Sequence, residues 1–469
     1  MNLRPYQIDL IERGMRSVAQ HGKVIIQLPT GGGKTVCFCK IIEDYVNKGK
    51  RVLLLVHRKE LIQQAAAKLF KMGINHGYIL SGVQPAYSRP VQLASVQTLI
   101  RREMPKNIGV IITDECHHAT ADSYRKILDY YPDADKIGFT ATPCRTNGEG
   151  FSGVYNDIVC GPSVKELIRD GYLVEPKIYS APLHLDLSKV KKTAGDYNDK
   201  DLAALLDNAK YLADLYREWE RHAYGKKTVV FAITIEHSKH IVEQYNSHGI
   251  PAAHIDGSTP DDERTRILKA FAEGKYMILS NVGIVTEGFD VPAIECVQLT
   301  RPTESLALYL QMVGRGLRTI DGKERCIILD HANCVFMHGF PQSDRVWTIH
   351  GVKKKKRKAP DGSDYVFKVV ARDKTGRMFD VNDIPKDARD IELVEIEFSE
   401  ARVAEMYNIM KEVKRRGHKP GAVYYRFCEK YGNPSVYELQ LMQNKLGYKQ
   451  GWIRHAMERH GHTTNYSHN

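Results

Sequence analysis

The sequence predicts an α/β protein with two consecutive parallel sheets, followed by a small, basic and mostly helical C-terminal region. From residue 20 to about 180, short apolar runs alternate with segments of helical periodicity, and the alternation starts again near residue 228. Such alternation is typical of doubly wound sheets, because two parallel strands need a crossover helix between them. After about residue 345 the alternation stops.

The strand candidates are short runs of aliphatic and β-branched residues. In the first sheet they are KVIIQL, RVLLLVH, VQLASVQ, IGVIITDE and KIGFTATP, and in the second TVVFAI, AAHIDG, YMILSN, CVQLT and CIILD. Residues 184–227 lie between the two sets and are first polar and then strongly helical, which predicts a linker and an entry helix. We therefore expect one domain over 1–180, a linker helix and second domain over 181–345, and an accessory region over 346–469.

Composition narrows the class of protein. The 469 residues are 42% hydrophobic and 26% charged, as in ordinary globular proteins. The first residues contain no basic segment followed by an apolar run, and no apolar run is long enough to span a membrane. The nine cysteines are scattered and form no CxxC, which indicates free thiols. We expect a cytoplasmic, nucleoid-associated protein without a membrane partner.

Positive charge is concentrated at the C-terminal end. Of the formal net charge of +12, residues 351–469 carry +8, with 24 Lys+Arg against 16 Asp+Glu. This excess suggests a polyanionic partner, although positive charge also serves solubility. The run KKKKRKAPDG has three interpretations: a solvated linker, a nuclear-localisation signal or a polyanion contact.

The rest of this end predicts a small hairpin at YVFKVVARDKTGRMFDV and basic helices over residues 400–469. Aromatic residues are interleaved with the basic ones, and they either stack on nucleic-acid bases or form the core of a small helical domain. They are Tyr424, Tyr425, Tyr431 and Trp452.

The segment QLPTGGGKTVCF, residues 27–38, predicts a phosphate-binding loop. It places glycines between an apolar strand and a helix, so that backbone N–H groups and the helix dipole converge on an anion. Lys34 would reach the terminal phosphates of a nucleotide, and Thr35 would ligate Mg²⁺. The usual loop has a glycine where this chain has Leu28, but the form PTGxGKT is met. The residues assigned to nucleotide binding are Thr30, Gly31, Gly33, Lys34 and Thr35.

A carboxylate pair follows another buried strand. IGVIITDECHH ends its apolar run at Asp114 and Glu115, and ligands of parallel sheets bind at the C-terminal ends of strands. Asp114 would hold Mg²⁺ through water, and Glu115 would orient or deprotonate the attacking water. Cys116, His117 and His118 are zinc-ligand types, but neighbours at such a turn point in different directions and no second ligand cluster is within sequence reach.

Five motifs occur in the order found in a known family. PTGGGKT, DECH, TATP at 140–143, VTEGFDVP at 285–292 and QMVGRGLR at 311–318 resemble motifs I, II, III, V and VI of superfamily 2 helicases. The resemblance covers about residues 1–335 and is closest to the RadD-like DNA helicases of bacteria and phages. It implies two tandem RecA-like domains, ATP and Mg²⁺ as cofactors, and DNA as the partner.

The resemblance also implies roles for single residues. Gln7 in LRPYQ resembles the glutamine that reads the adenine edge, and Thr140 and Thr142 resemble the motif that links nucleotide state to nucleic-acid contact. Gly288 and Asp290 resemble ribose and hydrolysis-coupling positions. Motif VI would supply a water-positioning glutamine and two arginine fingers, which are Gln311, Arg315 and Arg318.

Nucleic-acid contacts are expected where loops face the other side of the cleft. VHRKEL at 56–61 resembles motif Ia, and ASVQTL at 94–99 resembles motif Ic. Their hydroxyl, amide and basic side chains suit phosphates and carry no code for bases, as a translocating motor requires. The candidate contacts are Arg58, Ser95, Gln97 and Thr286.

These assignments predict a motor. The arginines lie in the second domain and the phosphate-binding loop in the first, so only domain closure brings a guanidinium to the γ-phosphate. We expect an ATP-dependent DNA helicase or translocase that unwinds or remodels forked or branched DNA in replication, recombination or repair. An ATP-gated clamp without strand separation and an RNA helicase stay open as alternatives, because motor contacts go to phosphates.

The C-terminal region departs from the RadD-like pattern. That group commonly carries cysteine-rich material after the motor, whereas here only Cys428 follows Cys334. A restriction-enzyme motor is a further alternative and would need a nuclease site. Glu412 and Lys414, with Asp390 upstream, are weak candidates, because the first two fall in a helical pattern where that nuclease core needs a strand.

Overall fold

The computed structural model describes residues 3–57, 59–119, 121–144, 150–180, 187, 190–193, 196–285, 294–343 and 345–350. Within 351–469 it describes residues 370–372, 378–380, 394–396, 406, 408–410, 412–413, 415, 422–431 and 442. No helix among these residues is both long enough and apolar enough to cross a membrane.

The first domain contains a seven-stranded sheet in which every neighbouring pair is parallel. Its strands are β1 (Lys23–Gln27), β2 (Arg51–Val56), β3 (His76–Ile79), β4 (Val91–Ser95), β5 (Ile108–Asp114), β6 (Asp135–Thr140) and β7 (Asp157–Cys160). Their order across the sheet is β3-β4-β2-β5-β6-β1-β7. β1 and β5, which carry the predicted phosphate-binding loop and the carboxylate pair, are therefore separated only by β6.

Helices cover both faces of this sheet. They are α1 (Pro5–His21), α2 (Lys34–Asn47), α3 (Lys59–Lys71), α4 (Val96–Leu99), α5 (Asp122–Tyr130) and α6 (Val164–Arg169), with a 3₁₀ turn at Cys116–His118. In β1, Val24 and Ile26 join the core cluster beside α1 and α2, while Ile25 joins the cluster beside α5. Adjacent strand residues point to opposite faces, so a continuous apolar run requires a sheet that is covered on both sides.

The remaining strands build a second sheet and two short hairpins. They are β8 (Glu175–Ser180), β9 (Lys192–Thr193), β10 (Asp196–Tyr197), β11 (Thr228–Phe231), β12 (Ala252–Ile255), β13 (Ile278–Asn281), β14 (Cys296–Leu299), β15 (Arg325–Asp330), β16 (Val370–Arg372), β17 (Met378–Asp380) and β18 (Val394–Ile396). The sheet order is β12-β13-β11-β14-β15-β8-β18, parallel except for β18, which is antiparallel to β8. β9 pairs with β10 and β16 with β17.

The helices of this second part pack around that sheet and continue into the C-terminal region. They are α7 (Asp199–Leu206), α8 (Ala209–Ala223), α9 (Ile235–Ser247), α10 (Asp261–Ala272), α11 (Leu306–Gly316), α12 (Cys334–His338) and α13 (Ala422–Tyr431). α11 carries most of the predicted motif VI.

The prediction of two parallel α/β domains is confirmed, and each predicted apolar run forms a strand. Four strands of the two sheets were not predicted, β3, β7, β8 and β18, and neither was the β9–β10 hairpin. The expected boundary at residue 180 also differs from the structure. β8 pairs with β15, with Ile178 opposite Ile328, so residues 175–180 belong to the second sheet and the chain passes between the sheets before them.

The C-terminal region is described in part. The predicted hairpin forms between β16 and β17, and β18 extends the second sheet. In α13, Val423, Tyr424 and Phe427 are all buried, whereas Tyr425 is 39% exposed. Core packing is thus the observed role of Tyr424. The Tyr431 side chain, Trp452 and the run KKKKRKAPDG lie outside the described residues.

Residues 345–350 form a strap that leads from the second domain back to the first. The Arg345 guanidinium donates to the carbonyls of Phe340 and Ser343, both at 2.8 Å, just after α12. The carbonyl of Ile349 accepts the N–H groups of Phe151 at 2.6 Å and Ser152 at 3.0 Å. The Ile349 side chain packs against the core cluster beside α5. The two domains are therefore joined at two places along the chain.

Candidate nucleotide site

The predicted phosphate-binding loop leaves β1 and enters α2 at Lys34. Gly31 and Gly33 have φ angles of 87° and 89°, in the left-handed region that glycine adopts without steric cost. A Cβ at Gly33 would lie 2.4 Å from Gln7 Nε2, and one at Gly31 would lie 2.8 Å from Leu173 Cδ2. Glycine is therefore required at both positions, because of the positive φ angle and because a neighbouring side chain leaves no room for a Cβ. The first turn of α2 supplies N–H groups that need partners outside the helix.

Leu28 replaces the usual first glycine without obstructing the loop. Its side chain is fully buried in the cluster beside α1 and α2, and its N–H donates to Thr140 O at 3.1 Å. A Cβ on Gly32 or Gly161 would lie 2.8 Å from the leucine side chain. Leu28 therefore supports the loop from the core side.

Gln7 lies directly beneath the loop. Its Nε2 donates to Gly32 O at 3.0 Å, and its Oε1 accepts the Arg4 N–H at 3.0 Å. The Tyr6 hydroxyl donates to the same Gly32 carbonyl at 2.8 Å. The LRPYQ segment thus holds the loop in place. Recognition of adenine by Gln7 stays a prediction.

A chain of polar contacts joins the loop to the carboxylate pair and to TATP. Lys34 Nζ lies 3.2 Å from Glu115 Oε1, and His117 Nδ1 lies 3.4 Å from Glu115 Oε2. His117 Nδ1 is also 3.3 Å from Thr140 Oγ1, which accepts the Thr142 N–H at 3.2 Å. The end of β6 is therefore connected to Glu115 through His117.

The electrostatic state of Glu115 is set by these neighbours. Burial alone would raise the pKa of Glu115, but the Lys34 ammonium and His117 outweigh burial and hold that pKa well below its ordinary value. Glu115 also has a φ angle of 46°, a strained conformation for a residue other than glycine, and such strain is common at functional sites. The buried Asp114 accepts the Glu115 N–H on Oδ1 at 3.0 Å.

The donor types at this place fit a nucleotide-bound magnesium ion. Asp114 offers a carboxylate at the end of β5, and Thr35 offers a hydroxyl in the first turn of α2. Mg²⁺ prefers such oxygen ligands and is commonly bound by one or two carboxylates together with phosphates and water. The assignment of both residues to the metal stays a prediction.

The alternative zinc site is not supported at DECHH. Cys116 is buried, and a Cβ on Gly138 would lie 2.7 Å from its Sγ, whereas His117 faces Glu115. Burial raises the pKa of the Cys116 thiol well above its ordinary value, which disfavours the thiolate that zinc needs. Within the described part of the chain, no group of three or more His, Cys, Asp or Glu residues could hold a metal ion. The His118 side chain lies outside that part.

α11 of the second domain packs directly on the phosphate-binding loop of the first. A Cβ on Gly314 would lie 2.6 Å from Thr30 Cβ, and a Cβ on Gly31 would lie 3.6 Å from Arg318 Cγ. Gln311 and Arg315 are buried on the same helix. The predicted motif VI therefore lies against the predicted motif I.

The far end of α11 is fixed by the segment that leads into β8. The Val174 N–H donates to Leu317 O at 2.9 Å, and Leu173 forms an antiparallel bridge with Arg318. A cavity of about 170 Å³ lies beside this contact, and its lining includes Thr30, Thr142, Gly314 and Trp347 of the strap. The two domains thus meet around a partly open space.

Two family models match the chain in the order of its two sheets. The model of the type III restriction enzyme, res subunit, matches residues 1–145, and that of the helicase conserved C-terminal domain matches residues 207–320. A 51.5 kDa protein of a Lactococcus phage is 36% identical over 337 residues, which cover 71% of this chain and 72% of that protein. The chain belongs to the superfamily 2 helicases. Its closer resemblance to the RadD-like group stays a prediction.

Other relatives agree with this family. The candidate ATP-dependent helicase Irc3 of Saccharomyces cerevisiae is 36% identical to this helicase over 355 residues, or 70% of the chain, but these cover only 51% of the yeast protein. A fragment of a candidate HsdR subunit of a type I restriction enzyme from Vibrio vulnificus has a TM-score of 0.56 at 24% identity, covering 77% of this chain and 70% of that one. This likeness concerns the fold, and the two parallel-sheet domains are RecA-like.

On a second surface of the helicase, the ends of β2 and β4 bring polar side chains together. Ser95 Oγ donates to Gln97 Oε1 at 2.9 Å, and Gln97 Nε2 lies 3.1 Å from His57 Nδ1. The predicted motifs Ia and Ic therefore adjoin. Four predicted site residues lie outside the described residues: Arg58, Thr286, Gly288 and Asp290.

Three residues near the helicase site were not assigned to it from the sequence. His117 was considered only as a zinc ligand, although its place two residues after Glu115 in DECHH is a usable signal. Tyr6 lies within LRPYQ and bonds the loop. Tyr172 has no local signal: its ring lies 4.6 Å below the Arg4 guanidinium and 5.0 Å from the Tyr6 ring because the chain turns back between the domains.

Proposed function

We propose that this protein is an ATP-dependent DNA helicase or translocase that remodels or unwinds forked or branched DNA. The observation that carries the proposal is the contact between α11 and the phosphate-binding loop, because it sets Gly314 and Arg318 of one domain against Thr30 and Gly31 of the other. A site divided between two domains ties each cycle of hydrolysis to their closing and opening.

The first domain supplies the groups that face the phosphates. Lys34 carries an ammonium for the terminal phosphates, and Glu115 carries the carboxylate that orients or deprotonates the attacking water. Their separation of 3.2 Å supports the proposal, because both groups reach one point. Thr35 and Asp114 would hold Mg²⁺ together with ATP, and the ion would supply positive charge that neutralises the phosphates. His117 keeps Glu115 oriented and connects it to Thr140.

The second domain supplies the groups that complete the site. Arg315 and Arg318 stabilise the charge that develops on the transferred phosphoryl group, and Gln311 orients the water. Arginine fingers contribute on the order of 10³ to 10⁵ in rate. The contact of Arg318 with Gly31 supports this role, because it requires the domains to be together.

The strand-binding surface is assigned to Arg58, Ser95, Gln97 and Thr286, with His57 as a neighbour. Amide, hydroxyl and basic groups of this kind bind backbone phosphates without reading bases. DNA as the substrate is supported by relatives that include the phage T4 protein named ATP-dependent DNA helicase UvsW, 22% identical over 391 residues. The basic C-terminal region supports a second contact, with the duplex arms of a branched molecule.

A restriction-enzyme motor is the second candidate. It is favoured by the res-subunit model on residues 1–145 and by the HsdR-like fold. Such an enzyme needs a nuclease centre. Glu412, one of the candidate residues, is helical and lies 3.7 Å from Arg426, an arrangement that argues against a metal ligand on a strand. Asp390 and Lys414 lie outside the described residues.

The decisive experiment compares ATP hydrolysis across nucleic acids. Turnover is measured with single-stranded, duplex, forked and four-way DNA and with RNA, beside strand-separation and translocation assays and with Lys34→Ala as the inactive control. The proposal expects the greatest stimulation by forked or four-way DNA. Stimulation by RNA alone would replace it with an RNA helicase, and stimulation without translocation or unwinding would indicate a clamp. Normal hydrolysis by Lys34→Ala would remove the phosphate-binding loop from the chemistry.

A further inference from the structure

The β9–β10 hairpin lies against the turn that precedes α11. Asp196 Oδ2 accepts the Thr303 hydroxyl at 2.5 Å, and Asp196 Oδ1 accepts the Glu304 N–H at 2.7 Å. Thr303 is fully buried. Hydrogen bonds to an ionised carboxylate are about twice as strong as neutral ones, and two such bonds to adjacent residues fix both the position and the orientation of a turn.

The same turn starts the helix. The Ser305 N–H donates to Thr303 Oγ1 at 3.0 Å, and Ser305 Oγ accepts the Leu308 N–H at 3.3 Å as the N-cap. A continuous chain of hydrogen bonds therefore runs from Asp196 through Thr303 and Ser305 into the first turn of α11.

α12 holds the opposite side of the turn. His338 Nε2 lies 2.8 Å from Thr303 O, and the His338 ring stacks on Tyr309 of α11 with centroids 5.3 Å apart. The turn is thus clamped between the hairpin and α12. The clamp at the start of α11 complements the contacts of Leu317 and Arg318 at its end.

Two ion pairs also link the hairpin side to this turn. Lys192 Nζ lies 2.6 Å from Glu304 Oε1, and Arg301 lies 3.0 Å from Asp199 Oδ1. The Lys192 side chain is 55% exposed and that of Asp199 is 46% exposed. The Lys192 pair contributes little, because water screens its ammonium and the side chain loses entropy. The Arg301–Asp199 pair is more buried, with Arg301 only 20% exposed, but Asp199 belongs to α7 and not to the hairpin. Asp196 is therefore the hairpin residue with the strongest hold on the turn.

We infer that Asp196 is a positioning residue for ATP hydrolysis, acting through Thr303 and Ser305 on the placement of Arg315 and Arg318. The inference rests on the proposed function. At 1.5 Å per residue, Arg315 lies roughly 15 Å along the helix from Ser305, so a shift at the start of α11 is carried to the arginines. A misplacement of about 1 Å at a reacting centre can cost about 10² in rate.

The first test uses Asp196→Ala in the full chain. ATP turnover with single-stranded DNA should fall at least about tenfold, while nucleotide affinity should stay within about twofold, because the arginines act in the transition state. Asp196→Asn should recover part of the turnover, since its Oδ1 can still accept the Glu304 N–H. Asp262→Asn is the matched control: it removes the same charge from an exposed residue in the first turn of α10, in the same domain, and it should hydrolyse ATP within about twofold of the parent.

A double-mutant cycle separates positioning from a structural role. In an Arg315→Ala Arg318→Ala background, Asp196→Ala should lower turnover by less than about twofold, because the groups it positions are gone. Equal losses in both backgrounds, or parental turnover in Asp196→Ala, would overturn the inference. If Asp196→Ala does not fold, the same cycle with Asp196→Asn decides between these results. A parent without ATP hydrolysis would instead overturn the proposed function, which keeps the two failures distinct.

Discussion

Glu115 stays charged in a buried place because Lys34 and His117 compensate for the loss of water. Glu115→Gln keeps the side-chain volume and removes the charge. We expect this variant to bind ATP and to hydrolyse it at least about 100-fold more slowly, since a general base contributes roughly 10² to 10⁴ in rate. Single-turnover hydrolysis measured beside nucleotide binding checks this. Turnover within tenfold of the parent would remove Glu115 from the chemistry.

Arg318 allows the contribution of the second domain to hydrolysis to be tested. Arg318→Ala should lower the turnover number by on the order of 10³ and leave ATP affinity nearly unchanged, because a finger stabilises charge in the transition state rather than in the bound substrate. The measurement is kcat beside the dissociation constant of ATP. A loss confined to affinity would make Arg318 a ground-state ligand.

His331 gives the second domain a pH-dependent stability. Gln298 Nε2 lies 3.1 Å from His331 Nε2, and the Tyr245 hydroxyl donates to Gln298 Oε1 at 2.9 Å. The amide nitrogen therefore faces the imidazole, whose Nε2 must accept a hydrogen bond and stay unprotonated. Burial lowers the pKa of His331 to about 4, against roughly 6.5 in the unfolded chain.

The unfolded chain thus binds this proton more readily than the folded one. The stability that neutral His331 supplies is complete above about pH 6.5 and is lost as the pH falls toward 4, and at pH 5 the loss is about 2 kcal/mol. His331→Gln should remove that share of the pH dependence. Urea unfolding of parent and variant at pH 7 and pH 5 measures it. Identical losses in the two proteins between these pH values would contradict this role of the imidazole.

At the scale of single residues, the sequence predicts those residues whose role follows from their distance along the chain to the end of a strand. Lys34 and Glu115 each follow a recognisable apolar run, and the structure brings them to 3.2 Å. The sequence could not predict the directions in which the side chains of Leu28 and His117 point. Those directions depend on the backbone of the turns, such as the φ angle of 46° at Glu115.

At the scale of elements, the close packing of α11 on the phosphate-binding loop depends on Gly314. Gly314→Ala should raise the intrinsic stability of the helix by up to about 1 kcal/mol. It should also lower ATP turnover by about tenfold or more, because the new Cβ would lie 2.6 Å from Thr30 Cβ and hold the domains apart.

Turnover and thermal unfolding of this variant are compared with those of Gly153→Ala. The Gly153 control adds the same atom at a place where the nearest neighbour is the end of the Arg125 side chain at 3.5 Å. Parental turnover in Gly314→Ala would show that the observed approach of α11 is not needed for hydrolysis.

The unpredicted strands differ from the predicted ones in burial and composition, and these differences limit the prediction of strands from sequence. Central strands such as β1 and β2 are buried almost throughout and therefore appear as continuous apolar runs. β7 is only partly buried at every position, β3 alternates and contains Gly77, and β8 begins with Glu175 and a proline. β18 pairs with β8, which lies more than 200 residues earlier in the chain, and no local sequence pattern encodes such a pairing.

At the scale of the whole molecule, two described pieces of the chain after residue 345 are attached to the two domains. Ile349 of the strap bonds Phe151 and Ser152 in the first domain, and β18 covers the edge of β8 in the second. A cut at residue 346 would remove both and leave β8 as an open edge, which favours aggregation. A test of the basic tail must therefore cut farther along the chain.

Shortening the chain to residues 1–400 keeps the strap and β18 and removes residues 401–469, which carry 12 Lys+Arg against 5 Asp+Glu. Hydrolysis with single-stranded DNA should persist, while the preference for forked DNA should be lost. Each lost phosphate contact lowers the salt slope of duplex binding by about 0.9. The affinities of the full and shortened proteins for one fork, followed from low to moderate salt, measure this. A folded 1–400 protein with unchanged slope and preference would make the tail a stability or partner-docking module.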